Sequence, residues 1–148
     1  MRAGWIRLAV LSLGTVGVAW AQVPSAPFNV IETRQAGQDL LAGSFTGIIQ
    51  GVRHKADVKA FANSAAAMAR WMKQFPTTFP PGSDKGSTKA LPTVWTDQAG
   101  FNQAAANFVQ AADKLSQLAK AGDTAGFEAQ VKTVGDACGA CHDKFRAK

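Results

Sequence analysis

The chain has 148 residues, a formal net charge of +6 and 47% hydrophobic residues. That is enough sequence for one domain with a small core. The positive excess is too modest and too dispersed to call for nucleic acid, and two cysteines cannot build a disulfide framework.

Met1 to Ala21 reads as a secretory leader. Arg2 and Arg7 supply a basic start, Leu8 to Trp20 a mostly apolar run, and Ala19-Trp20-Ala21 a small-x-small cleavage site. The run is short and wrongly flanked for a bilayer span. The expected division is 1–21 cleaved leader and 22–148 folded domain, with no membrane span after cleavage. The domain keeps a net charge of about +4, a weak attraction for an acidic or membrane-surface partner.

Gln22 to Phe28 holds two prolines and reads as extended. Asn29 is placed to cap a first helix, with Glu32 completing a capping box and Phe28 stapling inward. That helix is expected to reach about Val52, since Leu41, Phe45, Ile48 and Val52 recur at helical spacing. Gly43, Gly47 and Gly51 lie four apart and make a narrow ridge, suited to tight packing inside the bundle or across a dimer. His54 falls in a turn and reads as solvated. Asp57 is placed to cap a second helix whose apolar face is Val58, Phe61, Ala65, Met68, Met72 and Phe75. Helical spacing makes the two methionines core filler.

Pro76 to Pro92 carries four prolines and two glycines and reads as a long irregular segment crossing one end of the fold. A third helix follows Pro92, with Trp95, Phe101, Ala105, Phe108, Ala112, Leu115 and Ala119 as its stripe, and stops near Gly122. Asp123 caps a fourth, whose inward face is Phe127, Val131, Val134, Cys138 and Cys141. Four amphipathic helices without a convincing strand predict an all-α, antiparallel four-helix bundle.

Near the end stands Cys138-Gly139-Ala140-Cys141-His142, a C-x-x-C-H pattern that reads as a c-type haem attachment site. Two thiols one helical turn apart face the same way and can close thioethers onto the two haem vinyl groups. His142 follows with an imidazole for the iron. A zinc site would need ligands from a chain with no second cysteine pair. A redox dithiol would be expected just after a strand in a strand–helix alternation. A disulfide between i and i+3 of a helix is geometrically awkward. Bacterial haem c is attached outside the cytoplasm, so the leader and the motif support each other and place the protein in the periplasm.

With these residues on the page, the chain resembles the cytochrome c-prime family over its whole mature length. The resemblance rests on Arg34-Gln35 in the first helix, the Phe79-Pro80-Pro81-Gly82-Ser83 loop, Val94-Trp95-Thr96-Asp97 at the start of the third, and the ending Cys138 to Arg146. It implies one covalent haem c through Cys138 and Cys141, His142 as iron ligand, and Arg146 beside the proximal pocket. It also implies Arg34 and Gln35 near the haem edge, where a cation can meet a propionate. Relatives are commonly homodimers through their first two helices and bind nitric oxide and carbon monoxide at a five-coordinate iron. The redox partner is left unspecified.

In one respect the chain departs from the family. Register on Arg34-Gln35 places Gln38 at the distal position, where relatives carry an apolar residue, or a methionine ligand in a low-spin branch similar to cytochrome c-556. Gln38 is no sulfur ligand; its amide can donate to a bound diatomic or hold a water, or else turn to the dimer surface or a propionate. The expectation is an open or weakly occupied sixth position and a gas-binding protein, with a low-spin single-electron carrier as the alternative. No nucleophile or acid–base pair argues for an enzyme.

Overall fold

Asn29 starts the first helix. Its side-chain carbonyl accepts from the backbone N–H groups of Ile31 (3.1 Å) and Glu32 (3.3 Å), two donors that a helix start leaves without intrahelical partners. This helix, α1, runs Val30–Arg53 in a computed structural model that describes residues 29–148. The leader at 1–21 and the staple from Phe28 lie outside the described residues.

The second helix comes in two pieces. Asp57 accepts from the Lys59 N–H at 2.9 Å, as its capping role requires, but the turn it opens, Val58–Phe61, is a 3₁₀ turn. The α-helix proper, α2, is Ala62–Gln74. The third helix is also divided. A single turn, α3, spans Thr93–Thr96, and Asp97 breaks it with φ −125° and ψ 59°. The Asp97 carboxylate explains the break: it accepts from the Gly100 N–H at 3.0 Å, starting α4 afresh at Gln98–Ala121, and meets the Lys144 ammonium at 2.6 Å. Gly122 ends α4 in the left-handed region (φ 72°), which an L side chain adopts only under strain. Asp123 then caps α5, Thr124–Phe145, by accepting from the Gly126 N–H at 2.9 Å.

The four long helices form the bundle the apolar stripes predict, and among the described residues there is no strand beyond one isolated bridge. The centre is α4, whose Phe101, Ala105, Phe108, Ala112, Leu115 and Ala119 are all buried. It packs closely on α2 along a seam of small residues, Ala62, Ala65 and Ala69, and the buried Ser116 hydroxyl donates to the Ala62 carbonyl at 2.9 Å. By contrast, α1 touches α5 only sparsely. The wedge between α1 and α5 stays open.

The α1 glycines divide by what they face. A β-carbon on Gly37 would fall inside the Trp71 ring, and one on Gly51 inside the Phe61 ring, so these two serve packing within the bundle. The Trp71 fit is tight enough to bury the indole N–H without a partner among the described residues. A β-carbon on Gly43 or Gly47 would meet nothing within 4 Å.

The long segment after α2 continues through a 3₁₀ turn, Phe75–Thr78, and closes the end of the bundle where α1 begins and α5 finishes. Arg34 of α1, only 3% exposed, holds it. Nη1 donates to Thr78 O (3.2 Å) and Ser83 Oγ (2.9 Å); Nη2 donates to Ser83 O (2.8 Å) and Thr88 Oγ1 (2.9 Å). The guanidinium lies 4.3 Å from the centre of the Phe79 ring, which packs edge-on against Phe75, Trp95 and Phe101. Burial works against the charge, but a guanidinium stays protonated. On the far side the segment is stitched to the chain end: Leu91 N–H to Phe145 O (3.0 Å), Ala147 N–H to Lys89 O (2.8 Å), and the Thr93 hydroxyl to Lys144 O (2.8 Å).

Replacing Arg34 with Met keeps bulk but removes four donors from a buried cluster. The expected loss is about 2–4 kcal/mol in urea denaturation, with new limited-proteolysis cuts between Pro80 and Lys89. A variant as stable and as protease-resistant as the parent would show that the clamp is incidental.

Candidate functional site

The wedge between α1 and α5 holds a cavity of about 920 Å³, within the usual range of about 300–1,000 Å³ for cofactor sites. Gln38, Leu41 and Phe45 line it from α1, Met72 and Phe75 from the end of α2, and Phe101 and Phe108 from α4. Gly135, Cys138, Cys141 and His142 line it from α5. The loop supplies Phe79 and the stretch 86–90, and the chain end supplies Phe145 and Arg146. An apolar floor with polar groups at its edges results.

Helical geometry puts Cys138 and Cys141 one turn apart on the cavity side of α5, both half-buried and free. Burial holds both thiols above their usual range, and at Cys138 the neighbouring Cys141 adds to the effect. A working dithiol is favoured by the opposite shift, toward thiolate, and among the described residues no strand precedes the pair, as a redox dithiol would have it. Among the described residues no three His, Cys, Asp or Glu side chains come together to hold a metal ion, and the zinc alternative lacks ligands. His142 is pushed toward its neutral form, first by burial and then by the Arg146 charge, with Asp143 opposing weakly. Neutral imidazole is the form that binds a metal. Asp143 itself is exposed, as its position on the helix predicts.

These donors fit haem c. Two thiols at the required spacing and a neutral imidazole share one wall, and a cavity wide enough for a flat macrocycle lies in front of them. Cys138 and Cys141 are positioned for covalent attachment.

The seven residues singled out in the sequence, Arg34, Gln35, Gln38, Cys138, Cys141, His142 and Arg146, all line this one cavity. The donors of the first two are directed elsewhere. Both terminal nitrogens of Arg34 serve the loop, as described above, and the Gln35 amide donates to Ser87 O at 2.8 Å. In this structure Arg34 and Gln35 clamp the loop, where the family pattern leads one to expect a cation for a propionate. The Gln38 amide reaches Met72 Sδ at 3.6 Å, a long bond to a weak acceptor. Arg146 has left the helix, with φ −128° and ψ 131°, but its N–H still bonds His142 O at 3.1 Å, which keeps the two residues together. His54 closes the opposite end of α1, away from the cavity.

Met72 and Lys89 are among the lining residues that sequence reasoning did not assign to the cavity. Met72 was legible as an apolar helix position, which says buried but not against what. Lys89 sits in the irregular segment, where no periodicity tells which way a side chain turns.

Comparison with known proteins agrees with this site. The Cytochrome C' family pattern matches residues 29–146. Cytochrome c' of Rubrivivax gelatinosus is 42% identical over 125 residues, covering 82% of this chain and 97% of the relative. Its crystal structure superposes with a TM-score of 0.72 over 80% of this chain and 94% of that one. Cytochrome c-556 of Agrobacterium tumefaciens is 33% identical over 120 residues, 80% of this chain and 97% of the relative. A nitric oxide complex of a variant cytochrome c prime from Alcaligenes xylosoxidans is 30% identical with a TM-score of 0.73, covering 80% and 94%. The matched span takes in the bundle, the clamped loop and the C-x-x-C-H end together, and the chain belongs to the cytochrome c' family.

Proposed function

We propose that this chain is a periplasmic haem c protein that binds a small gas, nitric oxide or carbon monoxide, at an iron held from one side by His142. It binds ligands and passes electrons; it is not an enzyme. Haem c supplies an iron that takes diatomic ligands and exchanges single electrons. The chain supplies the rest. Cys138 and Cys141 fix the macrocycle to α5, and His142 presents a neutral nitrogen. The facing wall of α1 sets what reaches the other side of the iron.

One observation carries the reading. None of the α1 residues that line the cavity, Gln38, Leu41 and Phe45 among them, is a sulfur or imidazole ligand. The bulk of these groups limits access, and the Gln38 amide is the one polar group among the three. The low-spin carrier remains the second reading because Met72, a thioether, also lines the cavity. Against it, Met72 sits only 5% exposed in the α2–α4 core, and its sulfur already accepts from Gln38.

A homodimer through α1 and α2 is part of the proposal. Leu40 is 75% exposed, and the open sides of Gly43 and Gly47 follow it at helical spacing, a flat stripe on which a second helix can lie closely. Among the described residues no helix is long and apolar enough to cross a membrane.

Four measurements test the proposal. The reduced protein should show a high-spin spectrum that changes saturably with carbon monoxide, and Gln38→Ala should bind the gas roughly tenfold more tightly, equivalent to about 1.4 kcal/mol. A thioether–iron charge-transfer band in the oxidised protein would move the assignment to the Met72-ligated carrier. Arg146→Ala should lower the reduction potential, because a positive charge near the iron disfavours the ferric state; redox titration giving an unchanged or higher value refutes that role. Leu40→Glu should sediment as a monomer with its spectrum intact, and a persistent dimer would place the interface elsewhere.

A further inference from the structure

A haem brings two carboxylates into the cavity, and a half-buried carboxylate needs a cation or donors. The charged groups facing the cavity are Arg34 and Asp39 from α1, Lys89 from the loop, and His142 and Arg146 from the end of α5. Asp39 has the wrong sign. Arg34 spends both terminal nitrogens on Thr78, Ser83 and Thr88. Arg146 lies close enough to His142, one turn along the same chain, for its charge to act on the imidazole. Lys89 remains. Among the described residues its ammonium has no ion pair and no hydrogen bond, though its side chain lines the cavity.

The backbone at and around Lys89 is well held. Its carbonyl accepts from the Ala147 N–H at 2.8 Å, and the next residue, Ala90, forms an antiparallel bridge with Arg146. The residue before it, Thr88, takes a hydrogen bond from Arg34 and accepts from the Ala90 N–H at 3.2 Å. Gln35 fixes Ser87 in the same way. A backbone so constrained sets the Lys89 side chain at the cavity edge, from which its flexible stem can reach a carboxylate.

We propose that Lys89 is the residue that pairs with a haem carboxylate, and that Arg34 and Gln35 act on the haem only indirectly, by positioning the loop that carries Lys89. This rests on the haem reading above.

The test is resonance Raman spectroscopy of the haem-loaded full chain, in which the carboxylate bending band moves to lower frequency when a hydrogen bond to the carboxylate is lost. Lys89→Met should shift the band down, and Lys89→Arg should return it close to the parent. Lys148→Gln, which removes a charge from the chain end but does not line the cavity, should leave it in place. The reduction potential of Lys89→Met should fall as well. An unmoved band in Lys89→Met overturns the assignment even in a fully coloured protein that binds carbon monoxide. A colourless protein overturns the haem reading and this assignment together.

Discussion

A buried guanidinium holds the functional end of this molecule together. Arg34 leaves α1 and enters a nest of loop oxygens, stacked on Phe79, with almost no exposure to water. Taking a cation out of water is costly, and it becomes tolerable only when nearly every donor finds an acceptor. The loop meets that demand by folding back around the guanidinium, so its shape follows from the charge. The same loop then joins the end of α5 through the bridge between Ala90 and Arg146. The two helices that enclose the cavity barely touch directly, and this loop is what fixes their spacing at the cofactor end.

The open wedge has a packing origin. α2 and α4 carry alanines where they meet and approach closely, while α1 is drawn toward α2 by two glycines that admit the rings of Trp71 and Phe61. Those contacts hold α1 to one side of the bundle. On the other side, toward α5, even a β-carbon added to Gly135 would only just reach the Phe45 ring, at 3.9 Å. A wedge lined by aromatics and closed by neither helix would be unfavourable empty in water, since it exposes apolar surface. A flat, apolar, covalently tethered group relieves that exposure, so packing and cofactor chemistry ask for the same thing.

Much of this was legible in the sequence because helices write their buried face at a fixed period. The stripes of α4 and α5, the caps at Asn29, Asp57 and Asp123, and the C-x-x-C-H end could all be read directly. Asp97 was harder: it stood inside a continuous apolar pattern, and only its bonds to Gly100 and Lys144 show why the helix restarts there. Where the Arg34 donors go was hard to read for a related reason. A family pattern says that a position matters near the cofactor, but the sequence cannot say whether its donors reach the cofactor or the protein. Lys89 lay in a segment without periodicity, where side-chain direction depends on long-range pairing with residues more than fifty positions away.

The electrostatic layout of the cavity divides by side, and the division bears on what the iron can do. Burial first, and then the Arg146 charge, favours the neutral form of the His142 imidazole. On the α1 side the Arg34 guanidinium is committed to the loop, and the Gln38 amide is turned toward a thioether that accepts poorly. A donor satisfied so weakly can leave Met72 for a better acceptor at little cost, whereas an amide bound to a carbonyl could not. The α1 wall of the cavity thus carries, among apolar side chains such as Leu41 and Phe45, one amide whose hydrogen bond is weakly satisfied.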